Sequence, residues 1–76
     1  MVKTNIILPS VQSVREFVQQ VILLDYDVDL IQGRYVIDAK SIMGIFSLDL
    51  LSPINLVAHS DNSDLLFEKL AKFIVE

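Results

Sequence analysis

The sequence predicts an α+β fold in which helices cover one face of a single antiparallel sheet, and three observations carry that prediction. Apolar residues recur alternately at strand and helix spacing along the chain. The elements so defined run β-α-β-β-α-β-α, an order that in a short chain favours an antiparallel sheet with its helices on one side. Finally, 76 residues leave room for one modest core, so residues 1–76 are read as a single domain.

Each element has its own signal. Thr4 to Leu8 is a short isoleucine-rich run closed by Pro9 and Ser10, as expected of a strand running into a loop. Ser13-Val14-Arg15-Glu16 has the S-x-x-E spacing of a capping box. Val14, Phe17, Val18, Val21 and Ile22 then fall on one helical face, predicting a helix from Ser13 to Leu24. From Asp25 the period becomes two. Tyr26, Val28 and Leu30 alternate with Asp25, Asp27 and Asp29, predicting a strand with one buried and one wet face.

Gln32 and Gly33 supply a turn, and Arg34 to Ala39 returns as the second arm of a hairpin with Tyr35, Ile37 and Ala39 on one face. Ser41 can cap a short helix through its hydroxyl, and Ser52-Pro53 is expected to stop that helix. Ile54 to His59 alternates again as a fourth strand. Asp61 and Asp64 then suit the start of a final helix, whose face comprises Leu66, Phe67, Leu70, Ala71, Phe73 and Ile74.

Composition narrows the function classes. A net charge of −4 without a Lys/Arg cluster argues against nucleic acid or an anionic membrane as partner. There is no cysteine, hence neither a disulfide framework nor a thiolate metal site. No run approaches the roughly 18 apolar residues of a membrane span, and the start lacks a signal-peptide core, so the expected location is the cytoplasm. The chain is 53% hydrophobic and 21% charged, which implies apolar area left at the surface and makes homo-oligomerisation an expectation.

Candidate chemistry is sparse. His59 is the single histidine, with no second ligand residue to share a metal, and its expected role is a solvent-facing or hydrogen-bonded structural one. Asp25, Asp27 and Asp29 are explained by strand alternation, and the glycines, Gly33 and Gly44, belong to no phosphate-cradling motif. No catalytic residue, metal site or cofactor is expected, and the serines fit caps and turns. Ser41 has two compatible readings, a helix cap and a phosphorylation site beside Ile42, Met43 and Phe46.

The stretch Lys40 to Leu50, KSIMGIFSLDL, resembles the KSIMG(V/L)MSL segment of the HPr family, small phosphocarriers of the bacterial sugar phosphotransferase system and their regulatory relatives. Glu68-Lys69-Leu70 adds a weaker match, and element order and length fit throughout. The resemblance implies an HPr-like open-faced β-sandwich: a four-stranded antiparallel sheet of order 1-4-2-3 with three helices on one face. In that family the serine before Ile-Met-Gly is the target of an ATP-dependent HPr kinase in Gram-positive bacteria, and the phosphorylated form docks on a catabolite control protein. That role maps onto Ser41, and the adjoining apolar patch onto Ile42, Met43 and Phe46.

The family's phosphoacceptor histidine is missing. Where the phosphocarriers have His-Ala-Arg-Pro at the start of the first helix, this chain has Val11-Gln12-Ser13-Val14-Arg15-Glu16. Counting back from Tyr26 puts Gln12 at the histidine position, whereas anchoring on Arg15 puts Ser13 there. Neither side chain can replace an imidazole. A branch of the family, catabolite repression HPr, likewise has glutamine there and keeps the serine, and this chain is similar to it in AKSIMG and EKL. The resemblance thus implies a regulatory protein-binding module phosphorylated on serine. The alternatives are a phosphotransfer component of the sugar phosphotransferase system and a structural or oligomerising domain without phosphorylation.

Overall fold

The computed structural model describes residues 1–62 and 64–75. The elements are β1 (Val2–Ile6), α1 (Val11–Val21), β2 (Val28–Gln32), β3 (Tyr35–Asp38), α2 (Ile42–Ile45), β4 (Ile54–Ala58), α3 (Asp64–Leu70), a 3-10 turn over Ala71–Phe73, and β5 (Ile74–Val75). The strands form one antiparallel sheet in the order β3-β2-β4-β1-β5. Its first four positions reproduce the expected 1-4-2-3 order.

The fifth strand was not expected. Periodicity places Ile74 on the last helix, but α3 ends at Leu70 and the 3-10 turn carries the chain across Phe73 to the free edge of β1. There Ile74 pairs with Ile6 and Val75 with Asn5, while Ile7 N–H donates to Phe73 C=O at 2.8 Å. β-branched Ile74 and Val75 suit a strand better than a helix end, and the pairing covers an otherwise open edge.

Register fixes which side chains meet the helices. Val2, Ala58 and Val28 lie in one cross-strand row, and Thr4, Leu56, Leu30 and Ile37 lie in the next. These rows face Val14, Phe17 and Val21 of α1, Ile45 of α2, and Leu66 and Leu70 of α3 in a single core. Phe17 and Phe73 meet edge to face with centroids 5.6 Å apart. Burying a side chain of this size contributes roughly 1.5–3 kcal/mol. The opposite face carries Lys3, Asn5, Asp29, Ile31, Asn55 and Val57.

Several local expectations are corrected. The capping box does not form: α1 begins two residues earlier, and Ser10 is its cap, accepting Ser13 N–H at 3.1 Å. Pro9-Ser10 directly precedes the helix, so the earlier hydroxyl reaches the orphan N–H first. The helix also ends sooner, at Val21. Ile22 therefore points to solvent and Leu24 takes the buried place.

Asp25 and Asp27 precede β2 rather than belong to it. Tyr35 abuts the hairpin turn and is exposed, although Ala39 on the same expected face is buried. Phe67 and Ala71 likewise remain at the surface, because the short α3 offers the core only Leu66 and Leu70. The helix opened by Ser41 ends at Ile45, well before Pro53. The stop lies at Ser47, whose hydroxyl donates to Gly44 C=O while Ser47 and Leu48 N–H bond carbonyls three residues back instead of four; beyond it the Asp49 carboxylate accepts Leu51 N–H and the Ser52 hydroxyl in a loop.

Candidate functional site

Ser41 is placed by the turn that joins β3 to α2. Asp38 receives Lys40 N–H on its carboxylate and Ser41 N–H on its carbonyl, both at 2.9 Å, which closes the turn over Ala39 and Lys40. Lys40 Nζ donates to Leu24 C=O at 2.8 Å and ties the turn to the chain leaving α1. Ser41 itself is extended, at φ −100° and ψ 102°, and its Oγ accepts Gly44 N–H at 3.3 Å. It is thus the expected N-cap, and it is exposed.

The side chains after Ser41 divide between core and solvent. Ile45 and Leu48 are buried, and Ile42 packs half-buried against the core. Met43 is 77% exposed and Phe46 39%. Met43 and Phe46, three residues apart, therefore leave an apolar patch beside the serine that the fold does not cover. Gln32 fixes the far end of this segment from the β2-β3 hairpin, donating to Asp49 C=O at 2.8 Å and accepting Asp49 N–H at 2.7 Å.

The start of α1, which packs against α2, holds the other expected site. Gln12 and Ser13 occupy successive positions in its first turn. Ser13 Oγ is 2.9 Å from the capping Ser10 hydroxyl, and Gln12 donates to Glu16 at 3.2 Å. Arg15 is exposed and makes no ion pair among the described residues. Glu16 does not cap the helix. Instead it accepts from Lys72, and that hydrogen bond, together with the one from Gln12 and the Lys72 charge, holds its carboxyl below the ordinary glutamate range.

No imidazole stands at the start of α1. His59 follows β4, on the face of the sheet away from the helices, with its Nε2 2.8 Å from Asp29 Oδ2. Its backbone N–H donates to Asp27 C=O. The structure therefore gives His59 a local partner on the sheet and separates it from the helix-bearing side.

No family sequence model and no curated protein matches the chain. Solved structures do. HPr-C-His from Thermoanaerobacter tengcongensis superposes with a TM-score of 0.77 at 24% identity, over 95% of this chain and 89% of that one. The phosphocarrier protein HPr from Bacillus anthracis gives 0.71 at 24% identity, over 95% of both chains. Crh, the catabolite repression protein of Bacillus subtilis, gives 0.66 at 27% identity, over 99% of this chain and 90% of that one. The chain is HPr-like.

Within that HPr-like frame, Lys40, Gln32 and Ser10 support the site by contacts beyond their sequence roles, which are the first residue of the matched segment, a turn residue and the close of a loop. Ser10 had a signal, a hydroxyl directly before the first periodic apolar residue. Lys40 and Gln32 act across 16 and 17 residues of chain and had none. The same frame brings Ser41, Met43 and Phe46 together at the surface on one short element, while Ile42 lies between that surface and the core.

Proposed function

We propose that this HPr-like chain is a regulatory protein-binding module related to the sugar phosphotransferase system, switched by phosphorylation of Ser41. The observation that carries the reading is the exposed Ser41 hydroxyl at the start of α2 beside exposed Met43 and Phe46. A phosphate there adds nearly two negative charges and strong acceptors next to Gly44 N–H, which the hydroxyl already engages. An apolar patch beside a switchable charge suits recognition by another protein, with Met43 and Phe46 as anchors and the phosphate as the element a basic pocket reads.

By resemblance, the enzyme that adds the phosphate is an HPr kinase and the reader a catabolite-control-type regulator, both cytoplasmic. Relay through histidine is the weaker reading, because Gln12 and Ser13 stand at the start of α1 and His59 is engaged with Asp29 on the far face. The chain's role is that of a ligand for other proteins rather than an enzyme. Crh is described as an intertwined, domain-swapped dimer, which supports self-association as a further property of this chain.

Calorimetric titration of the Ser41-phosphorylated chain into a catabolite-control-type regulator tests the reading. Binding is expected with phosphate and is weakened about tenfold or more by Met43→Ala or Phe46→Ala. Equal binding of the unphosphorylated chain would contradict it.

A further inference from the structure

The sheet has two unlike edges. β5 closes one with a pair of residues, too short to template another strand. β3 forms the other, four residues long, with Arg34 just before it and Asp38 at its end; residues 34–38 contain no proline and no lysine, and Tyr35 and Val36 are each 62% exposed. Its hydrogen-bonding phase can be read from its neighbours. Ala39 N–H donates to Val28 C=O, and Gln32 pairs with Tyr35 across the turn at Gly33, whose φ is +59°. Tyr35, Ile37 and Ala39 therefore turn their backbone groups toward β2, and Val36 and Asp38 turn theirs outward.

The charges on this edge are arranged for a copy of itself. Arg34 and Asp38 lie equally far on either side of Val36, and Arg34 makes no ion pair among the described residues. Asp38 sits directly opposite Asp29 on β2, a like-charge pair that costs stability. Asp29 has His59 as a partner, whereas among the described residues the Asp38 carboxylate accepts only from Lys40 N–H.

We propose that the outer edge of β3 is a self-association surface on which a second copy of this chain pairs antiparallel about Val36, with Arg34 of each copy opposite Asp38 of the other. Val36 N–H and C=O bond their counterparts across the two-fold axis. Asp38 N–H donates to Arg34 C=O, while Asp38 C=O keeps its bond to Ser41 N–H. Tyr35 of each copy faces Ile37 of the other and loses part of its exposure. The contact is isologous, so it closes at a dimer and joins two sheets into one. It is distinct from an intertwined exchange of elements, because every strand keeps its own partners.

Sedimentation velocity over a concentration series tests the proposal. The unaltered chain shows a concentration-dependent dimer. Val36→Pro removes only an N–H that points away from β2, so the fold survives by circular dichroism and the dimer is lost. Arg34→Glu, in the exposed turn, weakens the dimer about tenfold, and adding Asp38→Arg restores it. A monomer at every concentration overturns the proposal. So does a dimer unchanged by Val36→Pro or by Arg34→Glu, which would point to a swapped or otherwise placed interface.

Discussion

Ser41 and Gly44 are fitted to each other: Gly44 N–H donates to Ser41 Oγ at 3.3 Å, and a β-carbon added at Gly44 would stand 3.2 Å from that same oxygen. The glycine lets the hydroxyl lie close over the first turn of α2. Ile37, 3.6 Å from the same β-carbon position, closes the other side. The cap and the contact can be separated. Ser41→Ala should cost about 1 kcal/mol through the lost cap. Gly44→Ala in that background should recover about 0.5–1 kcal/mol of helix propensity. In the presence of Ser41 the same change should gain less, because the hydroxyl must move. Chemical denaturation of both single variants and the double variant measures this coupling, and strict additivity would show that the close approach carries no energy.

Glu16 and Lys72 join α1 to the turn before β5, and Lys72 also lies 5.4 Å from the Phe73 ring centroid. The lowered Glu16 pKa sets the sign of a pH effect. Its contribution is present above the pKa of the unfolded chain and is lost as pH falls through the folded value. Glu16→Gln should therefore lower stability at neutral pH, only slightly because the pair is solvent-exposed, and leave the acid limit unchanged, so that its profile falls less steeply on the acid side. Thermal melts across the acidic range give the comparison, and parallel profiles for the two proteins would remove the ion pair from the account.

Thr4 Oγ1 and Tyr26 OH are buried without a hydrogen-bond partner among the described residues. Burial, and secondarily the charge of Asp25, raises the Tyr26 pKa, so the neutral phenol is the form that the fold holds. An unpaired buried hydroxyl costs roughly 1–3 kcal/mol, so Thr4→Val and Tyr26→Phe should each stabilise the chain by about 1 kcal/mol. Urea denaturation would show the midpoint rising for both. A fall would mean that these hydroxyls find partners in solution.

Gln32 grips the backbone of Asp49 from both sides of its amide, with bonds of 2.8 and 2.7 Å. Gln32→Ala should cost about 1–2 kcal/mol, the worth of two such bonds. Hydrogen exchange should quicken at the Asp49 amide and in the loop through Ser52 while the centre of β4 keeps its protection. Uniform acceleration across the sheet would instead show that Gln32 supports the whole fold.

The fold was legible where burial alone decides. Val14, Phe17 and Val21 on α1, and Val28, Leu30, Leu56 and Ala58 on the sheet, sit where their periodicity puts them. Ends were less legible, because short-range competition sets them: Ser10 outcompeted Ser13 for the cap, and the Ser47 hydroxyl on Gly44 C=O closed α2 before Pro53 could. β5 escaped notice because a two-residue strand has no period, and its partner, Asn5 and Ile6, is nearly seventy residues away in sequence. At the candidate site, the Ser41 cap followed from local spacing, whereas the patch at Ile42, Met43 and Phe46 came from the family resemblance; Met43 and Phe46 are exposed and Ile42 is half-buried. The anchors from Lys40 and Gln32 depend on tertiary placement and left no mark in the sequence.

The central claim concerns Ser41, and mass spectrometry after parallel phosphorylation reactions tests it most directly. Incubation with HPr kinase and ATP should add one phosphate to the unaltered chain and none to Ser41→Ala. Incubation with phosphoenolpyruvate and Enzyme I should give no acid-labile adduct. An unmodified chain, under conditions in which the same kinase labels a control HPr, or an acid-labile phosphoryl group from Enzyme I, would contradict it.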